Sequence, residues 1–182
     1  MSCLQRGMNE PGLWPSIDNN VFFIHQEMTS IFQTHPLAAL IAQEVDTSPR
    51  AWGQSERPKQ TVAPLASVLS SKNVDLEFTT RTKSALPTII HDILGGRWKG
   101  KSVIVSWAHQ QVPDLVKALG VSAEEVPGKW PGKRFDVTWV VKPGKDGGRP
   151  TFEQYAQRLM YGDKDSVIEL GGAGHGDETG DE

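Results

Sequence analysis

The chain has 182 residues, 37% of them hydrophobic and 23% charged, which is enough for one α/β domain with a real core and short for two. Its net charge of −3, with no long basic run, argues against nucleic acid or an anionic membrane surface as partner. Cys3 is the only cysteine, which excludes an internal disulfide and a cysteine-based zinc site.

MSCLQRGMNEPG lacks the apolar core of a leader peptide, and no apolar run approaches the roughly 20 residues of a bilayer span. The expectation is a cytoplasmic protein without a membrane partner. In chain order, residues 1–20 are loop-like, with MNEPGLWPSIDNN rich in turn formers. VFFI (Val21 to Ile24) reads as a short strand or as the start of a helix running to Phe32. PLAALIAQ is apolar enough for either a buried strand or a helix, and Glu44 to Lys59 read as a polar loop.

TVAPLASVLSS predicts an amphipathic helix with Pro64 in its first turn, and VDLEF (Val74 to Phe78) alternates like a strand. Ser84 is the expected N-cap of ALPTIIHDIL, which stops at Gly95. Lys101 to Trp107 reads as a strand, and Val103, Ile104 and Val105 in succession suggest cover on both faces. Helix HQQVPDLVKAL follows at once and ends at Gly120. RFDVTWVV alternates, with Phe135, Val137, Trp139 and Val141 on one face. Thr151 and Gln154 form a capping-box signature for a helix over FEQYAQRLMY. Residues 171–182 are acidic and Gly-rich, the composition of a disordered tail. Strands alternating with helices predict a single-domain α/β fold over residues 21–170, a three-layer α/β/α sandwich around a mostly parallel sheet.

The strand-turn-helix unit from Ser102 to Leu119 is the foremost candidate site, because ligands of open α/β sheets sit beyond the carboxyl ends of strands. His109 falls at that junction, with Ser106 and Trp107 before it and Gln110 after. A histidine there can bind an oxyanion or act as acid or base near neutral pH; the plain alternative is a residue that caps the helix. Arg57, in SERPKQT beside Ser55, is suited to bidentate binding of phosphate or carboxylate, or is simply solvated. His25, His35 and His91 show no metal-ligand spacing, so neither a metal nor a cofactor is expected. His91 suits a helix surface or packed position, and His175 lies in the tail. P-loop, GxGxxG and GxSxG signatures are absent from the folded part of the sequence.

Three segments together resemble the histidine phosphatase (phosphoglycerate-mutase-like) superfamily in a divergent branch familiar from fungi. SERPKQTVAPLA resembles the family's SERPxQTxxPLA stretch, GKSVIVSWAHQQVPDLVKALG its GKxVLVxWEH…IPxLxxALG segment, and WPGKRFDVTW its WPGxRFDVxW strand. The likeness runs from about Leu37 to Val141. It implies that Arg57 binds phosphate and that His109 is the second pocket histidine. The family's nucleophile is the histidine of an Arg-His-Gly-Glu motif, and this chain has no such motif. RGMNEP puts Arg6 at a suitable distance before Arg57 but has Gly7 at the histidine's place; VFFIHQE keeps His25 and Glu27 without the arginine and glycine. Spacing favours Arg6. Ala108 stands where the family often has an acidic residue.

Without a nucleophilic imidazole the phosphoenzyme route is closed. The expectation is therefore an inherited anion pocket, Arg57 with His109, that binds or transforms a small anionic or carbonyl-bearing molecule by acid-base chemistry, as in fungal secondary metabolism. An active phosphomonoesterase or mutase using His25 or His109, and a non-enzymatic interaction scaffold with Trp14, Trp52 and Trp98 as anchors, are the alternatives. Oligomeric state is not legible.

Overall fold

A computed structural model describes residues 32–45, 47, 55–144, 148–158 and 161–170. The readings of residues 1–20, of VFFI, of Trp14 and Trp52, and of the tail from 171 fall outside these. Among the described residues the chain is α/β, and it divides into two compact units. The first holds the described residues up to Lys83 with Gly100–Ser106 and 161–162. The second holds Ser84–Lys99, the described residues of Trp107–Arg158, and 163–170.

The first unit is built on a parallel sheet of β1 (Leu37–Gln43), β2 (Glu77–Arg81) and β3 (Ser102–Ser106) in the order β2-β1-β3. PLAALIAQ, ambiguous by periodicity, is thus a strand. As the middle strand, β1 buries Ala39, Leu40, Ile41 and Ala42 to 2% exposure or less, which explains its unbroken apolar run. The chain goes from β1 to one neighbour and later returns on the other side, so the order reverses between β1 and β3. The Ser102 hydroxyl donates to the His35 carbonyl (2.8 Å) and its N–H to that of Pro36 (3.0 Å), which aligns the two strand starts.

Helix α1 (Arg57–Ser71) packs on β1 and β3 through Val62 and Ala66, one turn apart. It begins four residues earlier than TVAPLASVLSS suggests, so Pro58 occupies the first turn and Pro64 lies inside the helix. Pro64 has no N–H for the Gln60 carbonyl; Gln60 is exposed, so water can replace that bond. Asn73 (φ 55°) ends the helix in the left-handed region, with the Val74 N–H on the Leu69 carbonyl at 3.0 Å. That closure uses Val74, and β2 starts only at Glu77.

The second unit contains α2 (Leu86–Leu94), α3 (Val112–Ala118) and an antiparallel ribbon of β4 (Val137–Lys142) and β5 (Thr151–Ala156). A short 3₁₀ turn, Lys83–Ala85, precedes α2, so Ala85 rather than Ser84 holds the N-cap position, without a side-chain bond. Gly95 closes α2 by donating to the His91 carbonyl at 2.7 Å. The helix expected over FEQYAQRLMY is instead β5. Thr151 opens the strand, and the capping-box partner Gln154 lies opposite Trp139. Three cross-strand interactions outweigh the local signal. Phe152 meets Trp139 edge-on at 5.1 Å, Glu153 accepts from Lys142 at 2.8 Å, and Gln154 accepts from the Trp139 indole at 2.8 Å. The unit's core is Val116, Val121 and Val126, with Trp139, Val141 and Phe152 packed against it. Phe135, expected inward with Val137, is 58% exposed.

Candidate functional site

β3 ends at Ser106, which is half-buried and in register with Ala42 of β1. The five residues from Trp107 to Gln111 form a turn before α3, closed by the Gln111 N–H on the Ala108 carbonyl at 2.9 Å. Trp107 is buried, and its indole N–H donates to Gln111 Oε1 at 2.8 Å. This bond ties the strand end to the helix start and orients the two residues between Ala108 and Gln111. Of these, His109 is half-buried and Gln110 exposed.

His109 therefore lies in a turn, not in the first turn of a helix. α3 is seven residues long, carries Pro113 in its first turn and Asp114 beside it. Proline removes a backbone donor and aspartate adds a negative charge there. α3 therefore builds no anion-binding helix N-terminus beside His109. What borders the imidazole instead is Gly132: a Cβ at that position would lie 3.6 Å from His109 Nε2.

Gly132 belongs to the loop WPGKRFD, which the sequence marked only by family resemblance and by its aromatic residues. The Arg134 N–H donates to the Pro131 carbonyl (3.0 Å), and the Trp130 indole donates to the Arg134 carbonyl (2.8 Å). Trp130 packs on Trp139 with ring centroids 4.8 Å apart. The Arg134 Nε donates to Asp136 Oδ1 at 2.7 Å, a pair 11% and 8% exposed at the side chains. Burial pushes the Asp136 carboxyl up. The Arg134 bond, main-chain donors from Lys164 and its own residue, and the guanidinium charge outweigh burial and hold it below its ordinary value. This staple was missed in the sequence reading. An Arg and an Asp two apart in a strand-like run were its only signal.

In the first unit, Arg57 is the first residue of α1, not a loop residue before it, and its side chain is exposed. Its N–H donates to Ser55 Oγ at 3.4 Å, the Gln60 amide donates to Glu56 Oε2 at 3.1 Å, and the Thr61 hydroxyl donates to the Arg57 carbonyl at 2.8 Å. Side chains of SERPKQT are thus used to start the helix. Arg57, Ser55 and Ser106 belong to the first unit and Trp107, His109 and Gln110 to the second. Arg6 and His25 fall outside the described residues.

Among the described residues, no group of three or more His, Cys, Asp or Glu is placed to hold a metal, and no helix is long and apolar enough to cross a membrane. His91 is a surface residue, its side chain 87% exposed. Trp98 is half-buried, with the Arg97 guanidinium 5.0 Å from its ring centre. Compared with family models, curated proteins and solved structures, the chain matches none. Residues and geometry alone therefore carry the functional argument.

Proposed function

We propose that this is a histidine-phosphatase-like protein without the phosphohistidine nucleophile, whose Arg57 and His109 serve a small anionic or carbonyl-bearing metabolite. In this reading Arg57 supplies a fixed positive charge and His109 exchanges a proton with the ligand, binding it or promoting an acid-base step such as enolisation. The observation that carries the proposal is the parallel sheet whose order reverses between β1 and β3, with His109 three residues beyond β3. Ligands of open α/β sheets bind at such switch points. Arg57 enters the reading through the resemblance of SERPKQTVAPLA alone. The seclusion of His109, half-buried and bordered by Gly132 rather than fully solvated, adds support.

Titration with inorganic phosphate and with pyruvate, followed by calorimetry, tests the reading. Saturable binding of either, weakened about tenfold or more by Arg57→Ala and by His109→Ala, is expected. A vigorous phosphatase rate on a generic aryl phosphate, abolished by His25→Ala, would instead establish the active phosphomonoesterase. If neither anion binds and neither substitution alters any ligand's affinity, the pocket reading is wrong.

A further inference from the structure

Within the second unit, the residues after Gly162 are held to the β4–β5 ribbon and the loop before it in an unusual way. Asp136 Oδ2 accepts the Lys164 N–H at 2.7 Å. The Arg134 guanidinium donates to the Ser166 carbonyl at 2.6 Å. The Gln154 carboxamide takes both main-chain groups of Ile168: its NH2 donates to the carbonyl at 2.9 Å and its Oε1 accepts the N–H at 3.3 Å. Lys164, Ser166 and Ile168 are thus gripped through their backbones by side chains, and between them an exposed ion pair joins Asp165 to Arg158 at 3.0 Å, with the Arg158 guanidinium also donating to the Asp165 carbonyl at 3.4 Å.

Of the segment's own side chains only that of Ile168 is buried, at 5% exposure. Lys164, Asp165, Ser166, Val167, Glu169 and Leu170 are all exposed. Recognition chiefly through main chain, with one buried aliphatic side chain and one exposed ion pair, is how a groove holds a bound peptide. A segment folded into a core would bury more of its side chains. The gripping groups are also fixed independently of what they grip. Arg134 and Asp136 bind each other, and Gln154 is bound to the Trp139 indole. A receptor with its donors and acceptors already oriented loses little entropy when it binds.

We propose that this is a peptide-binding groove for a segment bearing one buried aliphatic side chain, and that the chain's own Lys164–Ile168 segment, bent at Asp165 and Ser166, is its resident, detachable ligand. Occupancy reaches the candidate site through Arg134, because the same residue that holds Ser166 anchors the loop whose Gly132 borders His109. The binding claim stands whether or not the proposed function does.

The test inserts a protease site between Gly162 and Asp163 of the full chain and cuts it. A fluorescein-labelled peptide of residues 163–170 should then bind saturably and exchange with the resident fragment. An Ile168→Ser peptide should bind about tenfold or more weakly, a Val167→Ser peptide nearly as well as the parent, and Gln154→Ala in the protein should cost about tenfold. Absence of exchange in a cut protein that keeps its circular dichroism overturns the proposal, and so does unfolding on cutting. The uncut chain gives a second measurement that needs no variant. The Lys164 and Ile168 amides should exchange with deuterium about tenfold or more faster than the β4–β5 ladder amides. Equal rates would mark the segment as part of the core and overturn the idea.

Discussion

Asp136 is the one buried charged residue among those described, and its energetics follow from its partners. Removing one member of a buried, hydrogen-bonded pair leaves the other charge uncompensated, so Asp136→Ala should cost about 3–5 kcal/mol by urea unfolding. The pH dependence has a definite sign. Its folded pKa lies below the ordinary 3.8, so its stabilisation is complete above 3.8 and is lost as pH falls through the lower folded value. Unfolding midpoints of wild type and Asp136→Asn should therefore differ most above the ordinary carboxylate range, and the difference should shrink as pH falls below 3.8. Glu153, held low chiefly by the Lys142 bond and then by Tyr155, has the same sign in both proteins and drops out of the difference. Gln154→Ala should cost about 1–3 kcal/mol in thermal unfolding, because the part-buried Trp139 N–H loses its acceptor.

The elements differ in how they end. α3 stops at Gly120, which sits at φ +95°, a conformation that strains any residue with a Cβ. Gly120→Ala should therefore destabilise by about 1–2 kcal/mol, read as a lower urea midpoint with an unchanged slope. That glycine was legible as a stop because the demand for a left-handed residue is local; Gly95 ends α2 at an ordinary φ of −70°, and the positive φ falls one residue later, at Gly96. The start of α3 was not legible. HQQVPDLVKAL has helical composition from its first residue, yet the Trp107–Gln111 bond holds the first three residues in a turn. β5 is the larger failure of local reading. Thr151 and Gln154 make a plausible capping box, and only the partner strand, with Trp139 facing Gln154, decides against a helix.

At the scale of the whole chain, the two units rest on different physics. The parallel sheet buries a central strand on both faces, whereas a two-stranded ribbon is marginal alone and depends on what packs against it. Here that is the cluster of Trp139, Phe152 and the three valines. Trp139→Ala should therefore expose the β4–β5 amides to rapid deuterium exchange while those of Leu40 and Ile41 stay protected. Simultaneous loss of protection in both would show that they open as one cooperative block. The units also interleave along the sequence, with Gly100–Ser106 in one and the described residues of Trp107–Arg158 in the other. The candidate site residues divide across that boundary at the junction of Ser106 and Trp107.

By itself the sequence determined the α/β class, the apolar strand Val103–Val105, the helix stop at Gly120, and the position of His109 just beyond a strand. Each rests on a property carried by the residues themselves: unbroken apolar runs, backbone freedom, chain order. Only the tertiary structure decided that 151–156 is a strand, that α3 has no anion-binding first turn, that SERPKQT spends side chains starting α1, and that Arg134 and Asp136 grip residues 28 and more positions away. These outcomes depend on which distant groups meet, and burial makes such meetings outweigh local preference by removing water as the competing partner.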